Sequence, residues 1–258
     1  MNDKSVIEGP VTAALVVIGN EVLSGRTQDT NTQFLGAELK AIGIRLGEVR
    51  TIPDDEPMII ETVNTLRGVY DYVFTTGGIG PTHDDITSDA IAKAFGVPLH
   101  RDPRAVAMLR GHYDREEDMT EARLKMTDVP QGAELVENPV SRAPGFRMEN
   151  VFVFAGVPKI MQAMFDSVRH TLKGGAPMMA KTISGLAPEG KLAQPLGEIQ
   201  KKYPKTEIGS YPFIRSSKLG TSVVVRAVDE AVMEAAAGEV AEAFRAIKVE
   251  PDIAGGEV

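Results

Sequence analysis

The sequence contains no cysteine. That excludes disulfides, thiolate metal sites and a cysteine nucleophile. It has no excess of positive charge either. Lys and Arg number 28 against 36 Asp and Glu, a net charge of −8, so a basic nucleic-acid footprint is excluded. No run approaches the ~20 apolar residues that span a bilayer. The opening "MNDKSVIEGP" lacks a cationic head followed by an apolar stretch. Residues 1–10 therefore read as a flexible tail and not as a signal peptide. A cytoplasmic protein with no membrane partner is the expectation. The four histidines (His83, His100, His112, His170) show no paired spacing, which argues against a zinc site. The Walker loop, the dinucleotide GxGxxG and the GxSxG elbow are also missing.

What is present is an ordinary globular composition, 43% hydrophobic and 25% charged over 258 residues, enough to bury a core. Short apolar strands alternate with amphipathic helices from Ala13 onward. "AALVVIG" (13–19), "RLGEVRTI" (45–52), "DYVFTTG" (71–77) and "VFVFAG" (151–156) read as strands. Between them, Leu35, Leu39 and Ile42, then Ile59, Val63 and Leu66, fall at helical spacing, and Gly43 is a helix stop. "TSDAIAKAFG" (87–96) reads as a helix, 104–118 as a charged helical stretch, and 121–146 as a region rich in turn residues. A helix from Val157 is expected to end at Gly174-Gly175. This alternation predicts a three-layer α/β fold, a doubly wound and mostly parallel sheet. The glycines and Pro177 mark a boundary, giving a domain over 11–175 and a small α+β domain over 176–258. The second reads as strand, helix, two strands and a helix.

The chemistry concentrates in "TTGGIGPTHDD" (75–85). Gly77, Gly78 and Gly80 follow a strand and can adopt positive φ, turning amides inward to meet an anion beside the next helix. Thr82 adds a hydroxyl. Asp84 and Asp85 would repel an anionic ligand unless a divalent cation joined them, as Mg²⁺ does when it binds one or two carboxylates with substrate phosphates. The plainer alternative is a tight turn, with Asp85 or Ser88 capping the helix and Asp89 complementing its dipole. A second segment, "IGNEVLSGRTQDTN" (18–31), places Glu21 just beyond a buried strand. There it serves either a metal or ligand role or a loop-anchoring hydrogen bond. Asn31 or Thr30 is a candidate cap for the following helix. A third segment brings Arg142 and Lys159 as cations, with Gly156-Val157-Pro158 repeating the strand–glycine–helix geometry. A solvated arginine is the alternative for Arg142.

Four stretches, "GNEVLSGRTQDTN", "TTGGIGPTHDDIT", "NPVSRAPGF" and "AGVPKIM", resemble successive signatures of the competence/damage-inducible protein A (CinA) family. They are also similar to the N-terminal domain of eukaryotic FAD synthases, within the wider molybdopterin-binding superfamily. The resemblance covers about residues 11–175, and "TEIGSYPFI" and "TSVVVRA" look like the small domain that follows. It implies a nucleotide or pterin phosphate site at the glycine loop, and metal-dependent hydrolysis of the pyrophosphate bond of ADP-ribose or FAD. Position by position, it implies a cradle of Gly77, Gly78, Gly80 and Thr82, lined by Asn31 and Gly156. Asp84 and Asp85 would be catalytic and, with Glu21, metal-binding. The implied cofactor is a divalent metal (Mg, Mn or Co), with no organic cofactor required. The implied assembly is a homo-oligomer. Ala155 and Ile160 depart from the family pattern, which usually has Pro and Glu there. No amidase or adenylyl-transferring segment follows, so neither activity is expected. The alternatives are a molybdopterin-binding protein of molybdenum-cofactor biosynthesis and a non-catalytic nucleotide-binding module.

Overall fold

The structure, a computed structural model, describes residues 11–113, 115–176, 178–215 and 217–256. The expected tail over 1–10 and Pro177 lie outside the described residues. The chain divides into two compact units, Met1–Gly175 and Ala176–Val258.

In the first unit the elements run β1 (Val11–Ile18), α1 (Asn20–Leu23), α2 (Asn31–Ala41), β2 (Ile44–Ile52), α3 (Glu56–Arg67), β3 (Tyr72–Thr76), α4 (Thr87–Phe95), β4 (Leu99–Arg101) and α5 (Pro103–Arg110). They continue with α6 (Glu121–Leu124), β5 (Asp128–Pro130), β6 (Glu134–Val136), β7 (Gly145–Met148), β8 (Val151–Phe154) and α7 (Pro158–Val168). The main sheet has the order β2-β1-β3-β8-β7-β6. Its first four strands are parallel, and β7 runs antiparallel to both of its neighbours, β8 and β6. β1 and β3 are mostly apolar because both of their faces are covered, with Thr75 and Thr76 as buried polar residues at the end of β3. Val16, Ile18 and Val73 pack against Ile59, Val63 and Leu66 of α3 and Ala90 and Ile91 of α4. Leu15, Val17 and Phe74 face Leu35 and Leu39 of α2 and Met161, Met164 and Phe165 of α7. The fold is thus three-layered and mostly parallel, as the alternation predicts.

From β1 the chain moves to β2 on one side and then to β3 on the other. The winding therefore reverses between β1 and β3, and sheets of this kind bind ligands beyond the carboxyl ends of the strands at that point.

Some elements differ from expectation. The charged stretch 104–118 is not one helix: α5 stops at Arg110, and a single 3₁₀ turn follows at Glu116–Asp118. The turn-rich region contains α6, β5 and β6, with β5 pairing to β4. Gly174 and Gly175 do not end α7, which stops at Val168. They lie against another turn instead: a Cβ on Gly174 would sit 1.6 Å from the Ile42 carbonyl oxygen, and the Gly175 N–H donates to the Gly43 carbonyl at 3.0 Å.

The second unit contains β9 (Met179–Gly185), α8 (Ala193–Lys202), β10 (Glu207–Arg215), β11 (Lys218–Ala227), α9 (Glu230–Ala246) and β12 (Asp252–Gly255). Its antiparallel sheet has the order β10-β11-β9-β12. Leu196 and Ile199 of α8 and Met233, Val240 and Phe244 of α9 pack on Ile183, Val223 and Val225. The edge strand β12 is additional to the expected order; its four residues are all exposed and carry no apolar alternation.

One buried carboxylate supports the first unit. Asp102 begins α5, and its side chain, 3% exposed, accepts from the Arg104 N–H at 2.8 Å and pairs with the Arg104 guanidinium at 2.7 Å. The guanidinium first, and then the backbone N–H groups, lower its pKa to about 2. A depressed pKa contributes stability above the unfolded value near 3.9 and loses it as pH falls towards 2. Asp102→Asn is expected to cost about 2 kcal/mol at pH 7. In urea unfolding the gap to wild type should narrow between about pH 4 and pH 2.

Candidate functional site

β1, β3 and β8 end side by side, and the loops that leave them meet at the reversal point. The Gly77 N–H donates to the Phe154 carbonyl at 3.1 Å. A Cβ on Gly77 (φ 106°) would lie 2.1 Å from the Ile18 carbonyl oxygen, and one on Gly156 would lie 3.2 Å from the Gly77 Cα. On Gly78 (φ 69°) it would lie 2.1 Å from Thr87 Oγ1, and on Gly80 2.6 Å from Asp85 Oδ2. At Gly77 and Gly78 φ is positive and a side chain would meet the Ile18 backbone or the buried Thr87, so only glycine fits. At Gly80 the neighbour is the movable Asp85 carboxylate.

The Thr87 hydroxyl donates to the Gly77 carbonyl at 3.0 Å, and the Thr87 N–H to the Gly78 carbonyl at 2.9 Å. These bonds tie the loop to the start of α4. Among the described residues nothing accepts from the N–H groups of Gly78, Ile79 or Gly80. Three successive backbone donors in a glycine turn are therefore open to an acceptor. The Gly77 amide belongs to the sheet, so the open run is Gly78, Ile79 and Gly80. An isoleucine carries no signal for that role, since its backbone acts and not its side chain.

Asp84 and Asp85 follow the loop. Asp85 does not cap α4, whose N-cap position, Ile86, carries no side-chain bond. Its carboxylate turns back to accept from the Thr82 N–H at 2.8 Å, and the Thr82 hydroxyl lies within hydrogen-bond reach of both Asp84 and Asp85. That hydroxyl, and then its own backbone N–H, hold the Asp84 carboxyl below the ordinary carboxylate range. Asp84 is therefore a carboxylate at neutral pH, able to bind a cation or accept a proton. Lys125, in the 3₁₀ turn Lys125–Thr127, donates to the Thr82 carbonyl at 2.5 Å and brings positive charge beside Asp84. No local pattern pointed to Lys125, because the contact spans 43 residues.

The other candidates sort as follows. Asp29, and not Asn31 or Thr30, caps α2: it accepts from the Asn31 N–H at 2.9 Å and the Thr32 N–H at 3.3 Å. That leaves the Asn31 side chain to reach across and donate to the Gly156 carbonyl at 2.8 Å. Arg142 is exposed, with a left-handed φ of 61°, and its guanidinium has no partner among the described residues. Its loop is organised by the buried Asn138, whose amide accepts from Val140 and Ser141 and donates to the Ser141 hydroxyl and the Ala143 carbonyl. The Asn-Pro dipeptide was the available sign of that turn.

Glu21 folds back over Gly19, with its carboxylate 2.5 Å from where a Cβ would stand. Among the described residues no group of three or more His, Asp or Glu is placed to hold a metal. Glu21 thus does not complete a three-carboxylate set with Asp84 and Asp85. The donors at the loop, two adjacent carboxylates and a hydroxyl, are all oxygen. Such a set fits Mg²⁺ or Mn²⁺ completed by water and ligand phosphates.

The family described as probable molybdopterin binding domain matches residues 14–174, a span that includes every site residue above. The chain belongs to this molybdopterin-binding domain family. The middle domain of FAD synthase matches residues 177–252. A protein of Aeropyrum pernix is 36% identical and covers 95% of this chain and 96% of its own. A probable FAD synthase of Caenorhabditis briggsae is 31% identical over 87% of this chain, which spans about half (48%) of that protein. The crystal structure of the protein CinA, of unknown function, from Thermoplasma acidophilum superposes with a TM-score of 0.59. It is 34% identical and covers 63% of this chain and 99% of that one. The CinA-like and FAD-synthase-like character of the chain is therefore established. Among the described residues no helix is long and apolar enough to cross a membrane.

In this molybdopterin-binding domain the glycine loop depends on Gly77. Gly77→Ala is expected to destabilise the first unit by at least about 1–3 kcal/mol, since it adds a steric clash to a positive φ. Thermal unfolding of the purified variant checks this, and a melting temperature equal to wild type would refute it.

Proposed function

We propose that this protein hydrolyses the pyrophosphate bond of a nucleoside diphosphate conjugate of the ADP-ribose or FAD class, with a divalent metal. The observation that carries the reading is the run of unpartnered N–H groups at Gly78, Ile79 and Gly80, directly before two carboxylates. Neutral amides bind phosphoryl oxygens without needing excess positive charge, which suits a chain with a net charge of −8.

The loop amides orient the pyrophosphate and stabilise charge that develops on its oxygens. α4, which has no side-chain cap, begins at Thr87 beside the loop and adds the positive end of its dipole there, partly offset by Asp89 in its first turn. Asp84 and Asp85 would hold the metal, which when bound neutralises the pyrophosphate and supplies a water of lowered pKa. Thr82 orients the pair, its N–H holding Asp85 and its hydroxyl reaching either carboxylate, and Lys125 fixes the Thr82 carbonyl. The family match favours one second reading, that the same amides hold the phosphate of a pterin.

The test is turnover of ADP-ribose and of FAD with Mg²⁺, Mn²⁺ or Co²⁺, and with EDTA as control. AMP should appear only with metal, and Asp84→Asn should lower turnover a hundredfold or more while leaving the melting temperature near wild type. Unchanged turnover in that variant removes Asp84 from the mechanism. Protection from thermal unfolding without consumption of either compound supports a binding module, and pterin becomes the next ligand to try.

A further inference from the structure

Three buried side-chain oxygens lack a hydrogen-bond partner among the described residues: Asn31 Oδ1, Thr75 Oγ1 and Thr76 Oγ1. Two of them flank the glycine loop. Thr76 is the last residue of β3, paired with Val17 on one side and Phe154 on the other. Strand alternation puts its side chain on the Phe74 face, the face that α2 covers. Asn31 is the first residue of that helix. Its amide is bonded to the Gly156 carbonyl, two residues beyond Phe154, and Gly156 lies against Gly77. Thr75 stands on the opposite face and takes no part.

The Asn31 amide cannot be reversed. Its bond to a carbonyl oxygen needs the NH₂ group, so the atom left over is the acceptor. Asn31 is 5% exposed and Thr76 1%. A buried acceptor without a donor bears a desolvation penalty, and native structures keep few of them. Phosphate does not relieve it, because an ionised phosphate offers only acceptors. The group that belongs beside Asn31 Oδ1 is therefore a donor.

We propose that Asn31 Oδ1 and Thr76 Oγ1 form a hydroxyl-reading subsite, which takes a sugar hydroxyl of a ligand whose phosphates lie on the Gly78–Gly80 amides. The hydroxyl donates to Asn31 Oδ1 and accepts from the Thr76 O–H. This rests on the functional reading above and narrows it to phosphate esters that carry a free hydroxyl close to the phosphate. It also moves Asn31 from phosphate binding to recognition of the sugar.

Thr76→Val tests this, because it removes the hydroxyl, keeps the shape and breaks no bond to another side chain. Thr76→Ser keeps the hydroxyl and serves as the rescue. Binding of ADP-ribose and of inorganic pyrophosphate, with Mg²⁺, is read from thermal shifts over a concentration series, with ADP-ribose consumption followed in parallel. In Thr76→Val the melting temperature of the free protein should equal or exceed that of wild type. Its affinity for ADP-ribose should fall about fivefold, its affinity for pyrophosphate should be unchanged, and Thr76→Ser should restore ADP-ribose binding. Equal changes for both probes would overturn the subsite, as would ADP-ribose binding no tighter than pyrophosphate to wild type. A drop of several degrees in the free variant would also overturn it, since a buried water would then be the occupant. In each of those cases pyrophosphate binding leaves the loop reading standing. If neither probe binds wild type, the functional reading fails and the subsite with it.

Discussion

The closeness of the β3 and β1 backbones just past the end of the sheet governs the site. Gly77 lies so near the Ile18 carbonyl that a single added carbon would stand 2.1 Å from the oxygen. That contact turns the chain out of the sheet at once, with φ positive at two successive residues. Among the described residues the next three amides have no acceptor. Gly156 closes the other side against Gly77, so the ends of three strands share one small volume.

The charges around the loop follow from this geometry. Asp85 turns back to the Thr82 N–H and so does not cap α4, whose first turn carries Asp89, paired with Lys93. A capping aspartate would have added negative charge at the electropositive helix end. Thr82 stands between Asp84 and Asp85, and its hydroxyl can serve only one of them at a time. The second carboxylate then seeks another positive or donor group, and the nearby Lys125 supplies part of that field.

Much of this is legible in the sequence, and the limits are physical. β1, β3 and β8 stand out because strands covered on both faces are predominantly apolar and do not alternate with charged residues. β5 and β6 are three residues each, too short for any periodicity to register. The glycines and aspartates of the loop are visible as residue types, and the ordered signatures resemble a family to which the chain belongs. Which amides stay unpaired is not visible, because it depends on β8, more than 70 residues away. The cap of α2 shows a different limit. Asp29, Thr30 and Asn31 are all good capping residues, and only the position of Gly156 decides that Asn31 is used elsewhere.

The open donors of the loop are main chain, and this separates two kinds of change. Replacing the side chain of Ile79 leaves its amide where it is, so this part of the site is insulated from ordinary point substitution. Divergence towards a new ligand must then come from the side chains around the loop, such as Asn31, Thr76, Thr82 and Lys125. One rigid backbone receptor can in this way be inherited intact while its flanks are rewritten, so a common loop is compatible with different substrates in different descendants.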